Sequence, residues 1–279
     1  MQKSFGREVA GVLLRAAVVV LTIVVVLITV SALYQVETSI SDGECNIAVL
    51  PVEGVVLPYH GLGDFEMIVT PDFVESFLDN AESDSSIKGI LMEINSPGGT
   101  PVASARIAER FKNSSLPVVG MIGDMGASGG YMIASAADFL IASPMSDIGS
   151  IGVTMSYIEE SKKNEEEGLT YVQLTTGEFK DAGSPNRPIT EKERELFEEN
   201  LQIIHDEFVS TVANYRNLSV YEVEAIADGS TMPGAKAVDA GLIDALGGRA
   251  EVRKFFAANL NIPETEVKFC EYKGGLLPF

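Results

Sequence analysis

Apolar and polar positions follow two different periods along this chain, and the places where the period changes outline its elements. The first stretch has neither period. Residues 16–34, AAVVVLTIVVVLITVSALY, run for 19 positions without a charge. As a helix that is about 28 Å, close to the hydrocarbon thickness of a bilayer. A polar segment, 35–44, comes next. From residue 45 short apolar runs alternate with amphipathic ones. CNIAVLPVEGVV reads as a strand, 58–70 with Gly61 and Gly63 as a loop, and TPDFVESFLDNAESD as a helix capped by Thr70 and opened by Pro71. IKGILMEI is almost continuously apolar, the pattern of a strand covered on both faces. NSPGG then turns into the helix TPVASARIAERFKNS. The strand LPVVGMI, the turn GDMGASGG, the helix YMIASAA and the strand DFLIASP follow. Such alternation over 45–143 predicts an α/β fold with a parallel sheet and crossover helices.

Past 143 the pattern loosens. MSDIGSIGVTM leads to a charged, helix-like YIEESKKNEEEG, then to LTYVQLTT, which reads as a strand, and to the loop GEFKDAGSPNRPI. TEKERELFEENLQIIHDEFVSTVANYR is a long amphipathic helix, with Thr190 and Glu193 placed for a capping box. Shorter helices are predicted around 219–227 and 233–240, and GLIDALGG closes the compact part. The expected organisation is a short N-terminus (1–15), a membrane anchor (16–34), a linker (35–44), one domain (45–255) and a tail without an assigned role (256–279).

Charge sharpens the picture at two points. The 279 residues carry a formal net charge of −20. Binding nucleic acid needs clustered Lys and Arg against phosphate, so such a partner is not expected. Arg7 and Arg15 precede the apolar run, and Glu37, Asp42 and Glu44 follow it. The positive-inside rule then puts the N-terminus in the cytoplasm and everything after about residue 35 outside. A cleaved signal peptide ending near Val30-Ser31-Ala32 is the alternative, but the run exceeds a usual signal core. Two cysteines, Cys45 and Cys270, stand at opposite ends of the exported part. Outside the cell they could pair. Two free thiols in strand-like segments fit the sequence equally well, and no metal-ligand spacing is present.

The chemistry gathers at the glycine-rich turns. In GDMGASGG one serine, Ser128, stands among four glycines between a strand and a helix. A serine there is exposed beside free backbone N–H groups, but it needs a base to take its proton. NSPGG ends the neighbouring strand. If the strands are parallel, both turns share one sheet edge. N–H groups of Gly98 or Gly99, with that of Gly129, could then hold an oxyanion. The base is less obvious. His205 lies on the apolar stripe of the long helix with Leu201, Phe208 and Val212. His60 precedes the sheet motifs. Gly126-Ala127-Ser128-Gly129-Gly130 also fits G-x-S-x-G, but that fold needs an acid and a histidine on loops after the serine, and it leaves NSPGG idle. A lysine can act if its amine is held neutral. Lys180, in the loop FKDAGSP directly after LTYVQLTT, is a candidate, although a lysine alone in a loop is ordinarily a solvated side chain.

Taken in order, NSPGG, MGASGGYMIASAAD, SDIGSIGV, FKDAGSP and STMPGAKAVDAGLIDALGG resemble the signal peptide peptidase A family of membrane-bound serine proteases, in its short form. The resemblance covers about residues 45–250. It implies a fold like ClpP and crotonase, a spiral of ββα units. It makes Ser128 the nucleophile, Lys180 the general base, Ser150 the residue that holds the lysine amine, and Gly98, Gly99 and Gly129 the oxyanion loops. It implies no cofactor and no metal, peptide substrates such as cleaved signal peptides, a place at the cell membrane, and a homo-oligomeric ring in which the lysine can come from a neighbour. Two relatives in the same superfamily are the rivals: the stomatin-associated Ser/Lys membrane protease, whose multi-span segment is absent here, and acyl-CoA enzymes of crotonase type.

Overall fold

The computed structural model describes residues 2–37, 40, 43–59 and 67–271, and gives side chains for only part of the first helix. In chain order the elements are α1 (Gln2–Glu37), β1 (Ile47–Val56), β2 (Ile68–Val69), α2 (Pro71–Ser83), β3 (Gly89–Gly99), α3 (Pro101–Lys112), β4 (Val118–Ala127), α4 (Gly129–Ser135), β5 (Phe139–Ala142) and β6 (Asp147–Gly149). Then come α5 (Ser161–Glu166), α6 (Glu191–Arg216), α7 (Val220–Glu224), β7 (Thr231–Pro233), α8 (Gly234–Ala237), β8 (Ala245–Leu246), α9 (Arg249–Leu260) and β9 (Phe269–Cys270).

The strands form one sheet in the order β2-β1-β3-β4-β5-β8, every neighbouring pair parallel. β9 adds to β1, β6 continues alongside β4 beyond the end of β5, and β7 pairs antiparallel with β6. The result is the expected α/β architecture, a parallel sheet of ββα units. Its apolar runs are continuous because both faces are covered. Along β1, Ile47 and Val49 enter one core while Ala48, Leu50 and Val52 enter the other. β3 repeats this with Leu91 against Ile90, Met92 and Ile94. The larger core receives Val74 and Leu78 of α2, Ile107 and Phe111 of α3, Tyr131 and Ile133 of α4, and Phe208 and Val212 of α6. The smaller one is closed by Val252 and Phe256 of α9. Helix starts follow the sequence signals: Thr70 accepts from the Phe73 N–H, and Thr190 and Glu193 form a capping box.

Residues 256–271 are part of this packing. α9 covers one face, and β9 pairs Phe269 and Cys270 with Ile47 and Ala48. Cys45 and Cys270 are joined in a disulfide with Cα atoms 5.2 Å apart, across a sequence separation of 225. The bridge therefore ties the first strand of the sheet to the last.

One expected element is absent. LTYVQLTT is not a strand. A strand needs a neighbour for its N–H and C=O groups, and among the described residues none lies beside it. Its apolar side chains stand in solvent, with Val172 at 71% and Leu174 at 93% exposure. From about 153 to 190 the chain forms a largely exposed arm whose helical element is the short α5.

α1 holds the apolar run expected to act as an anchor. Burial is described at 10, 11 and 13–29, and all of these but Gly11 are exposed. Among the described residues no helix is long and apolar enough to cross a membrane. Part of the span 16–34 lies outside the described side chains, as do parts of the linker and the loop holding His60.

Candidate active site

Ser128 follows the last residue of β4 and caps α4, with φ 50° and ψ −127°. A positive φ is uncommon for a residue with a Cβ, and it persists only where the surroundings hold it. Here both backbone groups are held. The Ser128 N–H donates to the Gly149 carbonyl at 2.8 Å, and its own carbonyl accepts from the Met132 N–H at 3.0 Å. The hydroxyl makes no capping bond to the helix. The serine is thus fixed by its main chain, and among the described residues its hydroxyl makes no hydrogen bond.

The turn ending β3 lies directly against it. Gly98 has φ 93°, and a Cβ there would fall 2.5 Å from the Gly129 nitrogen and 3.0 Å from the Ser128 Cβ. A Cβ on Gly129 would be 2.2 Å from Ser104 Oγ and 3.3 Å from the Gly99 nitrogen. The two turns touch backbone to backbone, an approach open only to glycine. Gly129 is the first residue of α4, where the N–H has no partner within its own helix. The ladder to β1 passes through the Thr100 N–H, which donates to the Val56 carbonyl, with Val56 in register with Gly99. In a parallel pair this register turns the Gly99 N–H away from β1. Three of the glycines singled out from the sequence therefore meet at Ser128.

Ser150 joins them. β6 runs beside β4 with Ala127 opposite Gly149, so the residues that follow, Ser128 and Ser150, are adjacent across the two strand ends. Ser150 also has φ 50°. Its N–H donates to the Ser230 carbonyl at 2.9 Å, and its hydroxyl to the Gly229 carbonyl at 3.1 Å. The hydroxyl's lone pairs can still accept a further hydrogen bond.

Lys180 is on the exposed arm, in a turn where its N–H donates to the Gly177 carbonyl. Among the described residues no hydrogen bond or ion pair links it to Ser128 or Ser150 within the chain. The turn itself is tied down. Arg187 donates to the Asp181 carboxylate at 3.3 Å and to its carbonyl at 3.0 Å, and Tyr171 donates to the same carboxylate at 2.8 Å. Arg187 also pairs with the buried Glu193 at the start of α6. That hydrogen bond, helped by the Thr190 N–H, holds the Glu193 carboxyl down at about 2. It raises the Arg187 guanidinium above its ordinary value. His205 is half-buried on α6 with Nε2 3.0 Å from the Ala227 carbonyl, the packed position its stripe implied. No cluster of three metal-capable side chains occurs among the described residues.

One participant was missed from the sequence: Ser96, fully buried between the two turns. The available signals were Gly54 inside a strand-like run, which marks a bulge, and a small polar residue directly before Pro-Gly-Gly.

A parallel α/β sheet that presents a serine on a strained corner, faced by a second glycine turn, defines the class. The sequence pattern of peptidase family S49 matches residues 110–262, and the chain belongs to that family. It is 34% identical over 194 residues to a protein of Methanocaldococcus jannaschii named as a candidate protease (MJ0651), covering 69% of this chain and 62% of that one. It is 33% identical over 218 residues to a protein of Enterococcus faecium named as a candidate signal peptide peptidase (SppA), covering 76% and 63%. It is 30% identical over 211 residues to the capsid assembly protease C of Escherichia phage lambda, covering 72% and 46%. The chain thus spans less than two thirds of these relatives' own length.

Proposed function

We propose that the chain is a membrane-anchored serine endopeptidase that uses Ser128 and Lys180 as a dyad. Its substrates are residual signal peptides and other apolar peptides. The observation that carries this reading is Ser128 itself: a strained backbone, a hydroxyl without a capping bond, and the turn of Gly98 and Gly99 packed against it. A neutral Lys180 amine takes the Ser128 proton, and the oxygen attacks the peptide carbonyl. Backbone N–H groups hold the oxyanion, and the lysine ammonium protonates the departing amine. Water then repeats the sequence on the acyl-enzyme and releases the acid.

Lys180 reaches a serine from a neighbouring copy in a ring. The arm's exposed Leu169, Val172 and Leu174 support this, because such side chains ask to be covered. Ser150 would receive the incoming amine with its spare lone pairs. The anchor reading rests on the uncharged 16–34 run, and the disulfide supports a domain outside the cytoplasm. The name of the Enterococcus faecium relative supports the substrate class.

The test uses full-length protein in detergent with fluorogenic apolar peptides. Ser128→Ala and Lys180→Ala should each be inactive. Lys180→Arg should also be inactive, because guanidinium stays charged. Rings mixed at random from equal amounts of Ser128→Ala and Lys180→Ala should recover about a quarter of wild-type turnover, since each working site needs one intact residue from each of two neighbours. Near-normal activity of Lys180→Ala alone would remove the dyad.

A further inference from the structure

We infer that Ser96 is a positioning residue that sets which backbone N–H groups form the oxyanion site, an inference that rests on the peptidase reading above. Ser96 is 0% exposed and lies where the sheet is irregular on both sides. Against β1 the register moves from Glu53↔Asn95 to Val55↔Gly98, and against β4 from Ile94↔Ile122 to Ser96↔Gly126. Bulges leave ladder groups without their regular partners. The Ser96 hydroxyl takes up two of them. It donates to the Gly54 carbonyl at 2.6 Å and accepts from the Gly98 N–H at 3.1 Å. It also abuts the serine turn, because a Cβ on Gly130 would lie 3.1 Å from Ser96 Oγ, as well as 2.6 Å from the Ser96 backbone carbonyl oxygen.

The consequence is chemical. With its N–H committed to Ser96, Gly98 does not donate to an oxyanion. It contributes shape, through its positive φ and its missing side chain. The donors are Gly99, whose N–H faces away from β1, and Gly129, the first residue of α4. One buried hydroxyl holds the β1 bulge and the oxyanion turn in register while packing against the serine turn. Without it, the Gly98 peptide is released to rotate and the Gly99 N–H swings with it. Catalysis should suffer through the transition state more than through substrate binding, because the oxyanion exists only there.

The experiment compares full-length wild type, Ser96→Ala and Ser96→Cys, the second variant keeping the volume near that of serine. Each is assayed with a fluorogenic peptide and titrated with a peptide aldehyde, which forms a tetrahedral adduct on the serine, and with the matching peptide alcohol, which cannot. In both variants kcat should fall about 10- to 100-fold with KM changed less than about twofold. Aldehyde affinity should weaken by a similar factor while alcohol affinity stays put. An unchanged ratio of the two affinities would overturn the inference. So would equal weakening of both ligands, or loss of the fold in both variants, which would assign Ser96 a general packing role. If the aldehyde fails to inhibit wild type, the peptidase reading itself falls, an outcome distinct from failure of the variants alone.

Discussion

Replacing Gly98 by alanine tests whether the contact between the two turns carries the site. Two effects add. At φ 93° an L-residue is strained, by about 1–2 kcal/mol on the scale of left-handed backbone. The new methyl would also lie 2.5 Å from the Gly129 nitrogen and 2.9 Å from the Ala127 carbonyl oxygen. Both are backbone atoms, so neither can rotate away as a side chain would, and overpacking adds about 1–3 kcal/mol. The sum, about 2–5 kcal/mol, corresponds to a fall in Tm of roughly 5–15 °C for a domain of this size. The relief available is for the turns to part, which in the proposed mechanism draws the Gly99 and Gly129 amides off the oxyanion position and should lower kcat/KM about 100-fold or more. Gly241→Ala is the control. It shares a positive φ, 71°, but its methyl would meet only Leu218 Cδ2, at 3.0 Å, the movable end of a side chain. That variant should lose about 1 kcal/mol and little activity. Differential scanning calorimetry and peptide hydrolysis on both proteins give the comparison. If Gly98→Ala melts with Gly241→Ala and turns over within about threefold of wild type, the contact does not organise the site.

Three further outcomes follow from the packing. The Cys45–Cys270 bridge closes almost the whole domain; on chain-entropy grounds its loss should cost about 5 kcal/mol, so dithiothreitol should lower the urea midpoint of wild type and leave a Cys45→Ser, Cys270→Ser protein unmoved. Glu193, depressed to about 2 by Arg187, gives stability that is complete above the ordinary glutamate value and is lost as pH falls through about 2; the gap in Tm between wild type and Glu193→Gln should therefore narrow on acidification, and a gap independent of pH would refute the assignment. Asp244 accepts two hydrogen bonds from the buried Arg216 guanidinium and one from the Leu140 N–H; Asp244→Ala should cost about 2–3 kcal/mol by denaturant titration, short of a fully buried pair because the Asp244 side chain is 34% exposed.

The sheet was readable because its strands are covered on both faces. IKGILMEI and LPVVGMI can hardly be anything but interior strands when crossover helices flank them, and Thr-Pro opens α2 and α3 as the sequence implied. Ambiguity began where a segment's partner comes from far away in the chain. β9 is two residues long and gains its meaning from β1, some 220 positions earlier, and the disulfide beside it was left open for the same reason. LTYVQLTT failed from the opposite side. Its composition suits a strand, but pairing is a property of neighbours, and the described residues supply none.

Ser128, Gly98, Gly99 and Gly129 are legible because each answers a short-range demand, a strained corner, a positive φ or a close approach of backbones, whereas Ser150 is singled out by the family resemblance alone. Those demands leave glycines and serines at definite positions in the sequence. Ser96 escaped notice because its importance lies in bulges on the two neighbouring strands, which no local spacing announces. Lys180 is a different case. Its type and loop suit a base, yet among the described residues no hydrogen bond or ion pair brings its amine to the Ser128 hydroxyl. The arm that bears it is pinned to α6 by Arg187, Asp181 and Glu193, so it is built to keep a shape while its apolar side chains remain uncovered. In the proposed function, the shaped, apolar arm with a lysine at its turn and the serine on the glycine corner are complementary halves. If the dyad reading holds, the unit that performs the chemistry is larger than the unit that folds.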